Sequence, residues 1–538
     1  MSESMRITLG QLNYVVGDIA GNARKMITAA TDAAKQGSDL IVFSELSLTG
    51  YPPEDLLLRP SLQLRVEAAL DDIARASQDI AIALGFPWLN NGLLQNCAAV
   101  FAGGSCLGRY AKQCLPNYQV FDEKRYFAAG DSPCVVELHG RKLGLTVCED
   151  IWHQGPAEQA VAAGAEMILN LNASPFHLDK QQQRLELIRQ HVQKLRVPLV
   201  YVNQVGGQDE LVFDGRSFAM SAAGELACQL PAYEEALAHL DWSASGLTSD
   251  RLDSDRHGLD ALYQALVLGV RDYVNKNGFK GIVLGLSGGI DSALTLAIAA
   301  DAIGPDRVKA IMMPFAYTSG MSKEDAAEQA ERMGVAYESV SIEPMYNAFM
   351  AALAPQFEGL KKDTTEENLQ ARCRGVLLMA VSNKTGYMVL TTGNKSEMAV
   401  GYATLYGDMV GGYSALKDVY KTKVFQLAEY RNSLGYVIPQ RVIDRPPSAE
   451  LAPDQKDEDS LPPYDTLDAI LERYIERDMS ADAIIAEGFN RDDVMRVLRL
   501  VDINEYKRRQ APIGVRVTQK GFGRDRRYPV TNGWKAGV

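Results

Sequence analysis

Cys148 follows the apolar run LGLTV and precedes Glu149 and Asp150. A thiol reacts as its thiolate, so at neutral pH a nucleophilic cysteine needs help in losing its proton. Two residues beside other apolar runs could supply it. Glu45 lies in LIVFSEL and Lys112 lies in RYAKQCLPNY. A carboxylate can take the proton, and an ammonium can stabilise the charge that develops. Singly, a cysteine on an apolar strand is more often an inert core residue. The weight rests on the three together.

A second constellation is Gly285, Leu286, Ser287, Gly288, Gly289, Ile290, Asp291 and Ser292, which read GLSGGIDS. Paired glycines let backbone N–H groups approach a phosphate closely, and a helix N-terminus adds free donors and a favourable dipole. Ser287 and Ser292 supply hydroxyls, and Asp291 can position Mg²⁺ or the loop itself. The run lacks the lysine of GxxxxGK[ST], and it is not GxGxxG.

These residues need elements to hold them. Up to about residue 242, short apolar runs (40–46, 80–86, 98–104, 143–150, 166–174, 199–205) mix with amphipathic stretches at 20–36, 61–77 and 181–195. Strands and helices mixed in this way imply an α/β sandwich with much buried sheet. The segment 243–258, SASGLTSDRLDSDRHG, is small, polar and aperiodic, and reads as a linker. Beyond it, a helix over 259–277 precedes the strand 281–287, the glycine turn, a helix over 292–304 and a strand at 308–315. This is a βαβ unit of a parallel sheet. A further strand is expected at 387–394, and the acidic, proline-flanked stretch 450–463 is expected to be a mobile loop. The divisions are 1–245, a linker 246–258, and 259–538.

With 538 residues the chain is long enough for more than one domain. Hydrophobic residues at 46% and charged residues at 23% exclude wholesale disorder. The net charge of −13 argues against nucleic acid or an anionic membrane as partner. Seven scattered cysteines without a CxxC pair make neither a disulfide framework nor a zinc site, so a reducing, cytoplasmic setting is expected. All six histidines lie at or before His257, so chemistry in the second half must do without histidine. The stretch 506–529 holds eight basic residues against one aspartate. In so acidic a chain it reads as a local phosphate clamp or a subunit contact.

Three segments occur in order: FSELSLTGYPPEDLL, KQCLPNYQVFDEKRYF and GLTVCEDIWHQG. Together they resemble the nitrilase superfamily over roughly residues 5–240. The resemblance implies an αββα sandwich with Cys148 as nucleophile, Glu45 as general base, Lys112 as oxyanion stabiliser and Glu123 as the glutamate that orders the site. The SELxLTGYPPEDLL, LPNYxVFDE and NASPF segments resemble its glutaminase branch. That implies glutamine contacts at Tyr118, Glu149, Ser174 and Lys180, the last standing where some relatives carry arginine.

The SGGxDS pattern after a strand resembles the pyrophosphate loop of N-type ATP pyrophosphatases, which implies a Rossmann-like parallel sheet and adenylation by ATP. EENLQARCRG, TTGNKSEMAVGYATLYGD, DVYKTKVFQLA and RPPSAEL occur in order and resemble NAD synthetases. By that resemblance Thr392, Lys421 and Ser448 meet ATP, and Glu397 holds Mg²⁺ or the dinucleotide. Asn368, Arg372, Asp408 and Lys507 hold deamido-NAD⁺.

An amidase releases ammonia and an adenylating enzyme consumes it. The whole chain therefore resembles the glutamine-dependent NAD synthetases, which implies conversion of deamido-NAD⁺, ATP, glutamine and water to NAD⁺, AMP, pyrophosphate and glutamate. It also implies Mg²⁺ and a homo-oligomer, and the fusion of the two sites in one chain leads us to expect direct hand-over of ammonia. A different amidated acceptor, a catalytically dead scaffold and an amidase with an ATP-sensing domain are the competing readings.

Overall fold

The computed structural model describes residues 4–448, 450–452 and 461–535. The chain divides into two units, Met1–His257 and Gly258–Val538.

In the first unit, alternation along the strands assigns apolar side chains to two different cores. On the strand Ala81–Asn90, Ile82, Leu84 and Phe86 enter one core, whereas Ala81 and Ala83 enter another. The period of two puts successive side chains on opposite faces, so both faces of this sheet are covered. The unit has one sheet of seven strands and one of six. Ile7, Leu9, Val42 and Val100 of the first pack against Leu145, Val147, Leu169 and Val202 of the second. Each such fully buried side chain contributes roughly 1.5–3 kcal/mol.

The outer faces are covered by helices. Met26 and Val66, from helices Ile19–Lys35 and Pro60–Ala76, join one outer core. Ala160 and Ile188, from Pro156–Ala162 and Lys180–Leu195, join the other. The layers are therefore α, β, β, α, as the nitrilase resemblance implies. The helices fall within a residue of the expected 20–36, 61–77 and 181–195. Asp18 caps the first by accepting the Gly21 N–H at 3.0 Å, and Pro60 opens the second where its missing N–H costs nothing.

Two details differ from the sequence reading. The run 40–46 is a strand only over Leu40–Val42. Phe43 still donates its N–H to Ala83 O at 2.8 Å, but Leu46 adopts φ 44° and the chain turns out of the sheet. The segment 246–258 is also not a bare linker. Gly246–Thr248 pairs antiparallel with the strand Ala236–Ser243. Gln229 Nε2 donates to Asp253 O at 2.9 Å, and Arg216 Nε lies 3.1 Å from Asp255 Oδ1. Backbone pairing at a sheet edge needs no apolar periodicity, so the pattern could not reveal it.

In the second unit a five-stranded parallel sheet runs in the order Ala336–Ser339, Val308–Met312, Ile282–Gly285, Met388–Thr391, Tyr413–Ser414. The strand order reverses at Ile282–Gly285, and in such sheets ligands bind at the carboxyl ends beside that switch point. The helix Gly258–Lys276 is buried on several faces, with Leu262, Leu266 and Val270 each at most 2% exposed. A separate all-helical core gathers Val400, Leu467, Ile470, Val494 and Leu498. Of the stretch 450–463, residues 453–460 lie outside the described residues.

Several basic side chains of the stretch 506–529 are engaged within the unit. Arg508 and Arg526 are buried, and each lies 2.9 Å from Glu505 Oε2. Arg516 pairs with Asp525 at 2.6 Å, and Lys520 with Asp478 at 2.5 Å. These charges are spent on internal ion pairs. Their partners include Asp478 and Glu505, which lie outside the window that looked basic.

Candidate functional site

Glu45, Lys112 and Cys148 come from three strand ends. Glu45 sits in the turn after Leu40–Val42, Lys112 follows the strand Ser105–Ala111, and Cys148 follows Arg141–Val147. The approach of the Glu45 turn to the next strand requires a glycine. A Cβ on Gly85 would lie 2.4 Å from Leu46 N and 2.8 Å from the Glu45 backbone. Cys148 itself has φ 43°, which aims its side chain out of the strand direction.

All three residues are buried. Lys112 Nζ donates to Glu45 Oε1 at 2.7 Å and to Glu123 Oε1 at 2.9 Å. Asn96 Nδ2 donates to the same Glu45 oxygen at 2.8 Å, and Ala173 N–H donates to Glu45 Oε2 at 3.0 Å. Tyr51 O–H donates to Glu123 Oε1 at 3.0 Å. Burial opposes the Lys112 ammonium, but Glu123 and Glu45 hold its pKa well above the ordinary lysine value. Burial pushes the Cys148 thiol well up, Glu45 adds to this, and Lys112 pulls against it. Glu123 is raised by burial against the pull of Lys112. The arrangement is a protonated thiol whose ionisation depends on a carboxylate and a cation held in place.

The expected glutamine contacts lie around it. Tyr118 O–H donates to Glu149 Oε2 at 3.0 Å, and Glu149 Oε1 lies 3.0 Å from His153 Nε2. Lys180 Nζ stands 4.0 Å from the centroid of the Trp152 ring, a cation–π contact. Ser174 is held by Asn203, whose Oδ1 accepts its N–H at 2.9 Å, and by Arg184.

Sequence reasoning missed Asn96, Tyr51, Asp150, Arg184 and Asp214. A lone asparagine in the apolar strand Leu93–Ala102 and an aspartate two residues after the nucleophile were readable signals, because a buried polar side chain needs partners.

In the second unit, Gly285 ends its strand, Leu286 is buried, and Ile290 opens the helix Ile290–Ile303. Gly288 has φ 81°, and a Cβ there would lie 2.3 Å from Ser322 O. Within the loop, Ser287 N–H donates to Ser292 Oγ at 3.2 Å and Gly289 N–H to Ser287 Oγ at 3.2 Å. Lys421 is buried and donates to Asp291 Oδ2 and, at 3.3 Å, to Glu397 Oε1. Asn394 Nδ2 donates to Asp291 Oδ1 at 2.8 Å. Thr392 follows the strand Met388–Thr391, on the carboxyl side of the switch point. Ser448 Oγ accepts the Glu450 N–H, and Glu450 accepts from Ser322, the residue against Gly288.

Asn368, Arg372, Asp408 and Lys507 all grip the segment 401–408. Thr404 O–H donates to Asn368 Oδ1 at 2.8 Å, and Thr404 N–H donates to Asp408 Oδ1 at 2.6 Å. Arg372 Nε donates to Leu405 O at 3.2 Å. Lys507 Nζ donates to Gly401 O at 2.7 Å and Ala403 O at 2.9 Å. A cleft lined by Thr391, Gly393, Glu397, Asp408, Met409 and Lys417 adjoins this segment. Glu397 thus belongs both to the Lys421 cluster and to the cleft.

Among the described residues, no three His, Cys, Asp or Glu side chains are placed to hold a metal. Asp291 and Glu397 nevertheless converge on one ammonium. Magnesium characteristically takes one or two carboxylates and completes its shell from phosphates and water, so this donor set fits a cation arriving with a nucleotide.

The sandwich with a buried cysteine, glutamate and lysine, followed by a parallel-sheet unit with a glycine loop at its switch point, defines a two-part amide-transfer enzyme class. Residues 6–250 match the carbon-nitrogen hydrolase family model, and residues 262–511 match NAD synthase. The glutamine-dependent NAD(+) synthetase of Acinetobacter baylyi is 53% identical over 99% of both chains. That of Aquifex aeolicus is 43% identical over 98% of this chain and 99% of its own. The solved glutamine-dependent NAD⁺ synthetase of Acinetobacter baumannii, in complex with ADP, is 50% identical, covers 100% of both chains and superposes with a TM-score of 0.81. The chain belongs to the glutamine-dependent NAD(+) synthetase family. Among the described residues no helix is long and apolar enough to cross a membrane.

Proposed function

We propose that this chain amidates deamido-NAD⁺ to NAD⁺ with ammonia taken from glutamine, using ATP and releasing AMP, pyrophosphate and glutamate. The observation that carries the reading is the pairing of two sites in one chain: Cys148 with Glu45 and Lys112, and the 285–292 loop with Lys421.

In the first unit Cys148 Sγ attacks the glutamine carboxamide carbon while Glu45 takes the thiol proton. Because burial disfavours the thiolate, the base must act in the same step. Lys112 offsets the charge on the carbonyl oxygen. Collapse of the tetrahedral species breaks the C–N bond, and Glu45 returns the proton to the leaving ammonia. Water, deprotonated by Glu45, then cleaves the thioester, giving glutamate and the free thiol. Glu123 and Asn96 hold Lys112 and Glu45 in register. Tyr118, Glu149, Ser174 and Lys180 form the glutamine contacts.

In the second unit the carboxylate of deamido-NAD⁺ attacks the α-phosphorus of ATP and pyrophosphate leaves. Ammonia then displaces AMP from the acyl adenylate. Gly288, Gly289, Ser287 and Ser292 cradle the departing pyrophosphate, and Lys421 offsets its charge. Thr392 and Ser448 complete the ATP side, and Asn368, Arg372, Asp408 and Lys507 the dinucleotide side. Magnesium, when bound at Asp291 and Glu397, supplies further neutralisation of phosphate charge. The enzyme is read as a cytoplasmic homo-oligomer.

The test is one assay with Mg-ATP and deamido-NAD⁺, comparing glutamine with ammonium chloride. NAD⁺ and AMP from both sources are expected. Glutamate release without NAD⁺ from either source would overturn the acceptor. Ammonia is mostly ammonium at neutral pH and cannot attack in that form, so direct hand-over is favoured. It predicts equal yields of glutamate and NAD⁺, and free ammonia matching the glutamate formed would overturn it.

A further inference from the structure

The residue that grips Ser174 most closely is Arg184, one helical turn beyond Lys180 on the helix Lys180–Leu195. Its side chain and that of Asp214 are both 0% exposed. Nη1 donates to Asp214 Oδ1 at 2.8 Å and Oδ2 at 3.0 Å, and to Gln181 Oε1 at 3.2 Å. Nη2 donates to Ser174 O at 2.7 Å and to Ser174 Oγ at 3.1 Å, and Nε reaches the same Oγ at 3.3 Å. A buried guanidinium without a carboxylate would be prohibitively costly, and Asp214 offsets that cost.

The consequence lies in the hydroxyl. A serine oxygen has two lone pairs and one proton. Two N–H groups of the Arg184 fork converge on Ser174 Oγ, so the acceptor side of the hydroxyl is taken up by the guanidinium and its proton is turned away from it. A carboxylate is a strong acceptor for that proton.

We propose that Arg184, anchored by Asp214, is a positioning residue that orients the Ser174 hydroxyl as a donor and thereby selects the carboxylate end of the amide substrate. This rests on the reading of Ser174 as a glutamine contact. Lysine could keep the charge opposite Asp214, but it lacks the planar fork that serves Asp214, Ser174 O and Ser174 Oγ together.

The test uses the full chain and follows glutamate release from glutamine. Arg184→Lys and Asp214→Asn are each compared with wild type for KM and kcat. The rate at which iodoacetamide alkylates Cys148 is measured alongside, because it reports the nucleophile without any carboxylate recognition. The expected result, in whichever variant folds, is a KM for glutamine raised tenfold or more. The kcat and alkylation rate should stay within threefold. An unchanged KM overturns the proposal, and so does a parallel fall in kcat and alkylation rate, which would mark a general loosening of the unit. A wild-type chain that releases no glutamate would instead overturn the reading of the site as a glutaminase.

Discussion

Asp150 accepts the backbone N–H of Cys114 at 2.8 Å. It also accepts those of Gln113, at 3.1 Å, and Val147, at 2.9 Å, and the O–H of Tyr110 at 2.8 Å. One buried carboxylate therefore ties the turn that carries the nucleophile to the strand end that carries Lys112. The distance between Cys148 and its cation is set by hydrogen bonds to a residue that need not touch substrate.

Asp150→Asn keeps the shape but places an amide NH₂ against N–H donors. Stability should fall by roughly 1–3 kcal/mol, read as a lower midpoint for the first unit in chemical denaturation. Glutamine hydrolysis should drop ~10²-fold through misplacement. Ammonia-driven synthesis should persist.

Cys148→Ala removes the atom that forms the thioester. Glutamine-driven NAD⁺ formation should vanish while ammonium chloride still supports synthesis near the wild-type rate. Loss of both activities together would contradict two separable sites.

Gly85→Ala inserts a methyl group 2.4 Å from Leu46 N and displaces the turn that carries Glu45. The kcat for glutamine should fall ~10²-fold, with ammonia-driven synthesis again as the unaffected control.

Asp291→Ala takes away the carboxylate shared by Lys421 and Asn394. Synthesis should stop with either nitrogen source, and AMP should not form. Continued AMP release would remove Asp291 from the adenylation machinery.

Lys507 has its pKa lowered by burial, with Asp408 opposing the shift. Its ammonium is lost as pH rises through a value below the ordinary ~10.4. A neutral amine can still donate to Gly401 O and Ala403 O, so the segment stays anchored while the charge disappears. Calorimetric titration should show deamido-NAD⁺ binding weakening on the alkaline side. Lys507→Arg, which keeps its charge, should flatten that dependence.

Much of this was legible from local pattern. The alternation along 80–86 and 166–174 determined which side chains face which layer, because a strand's period of two leaves no other choice. The run GLSGGIDS carried its own strand, turn and helix start. The reactive trio was visible because three ordered segments around Glu45, Lys112 and Cys148 resemble the nitrilase superfamily. What the chain order could not convey was anything set by distant partners. Glu45 needs Gly85, Lys112 needs Glu123 and Asn96, and Ser174 needs Arg184 and Asp214. Each of these polar groups is satisfied in the interior only once the strands have packed, since water no longer serves them. The basic stretch 506–529 makes the same point in reverse. Its composition suggests a phosphate clamp, yet Arg508 and Arg526 pair with Glu505, and Lys520 with Asp478. The sequence by itself determined the elements and the reacting groups. The tertiary structure alone decided their protonation and register, because burial and neighbouring charge exist only in the folded state.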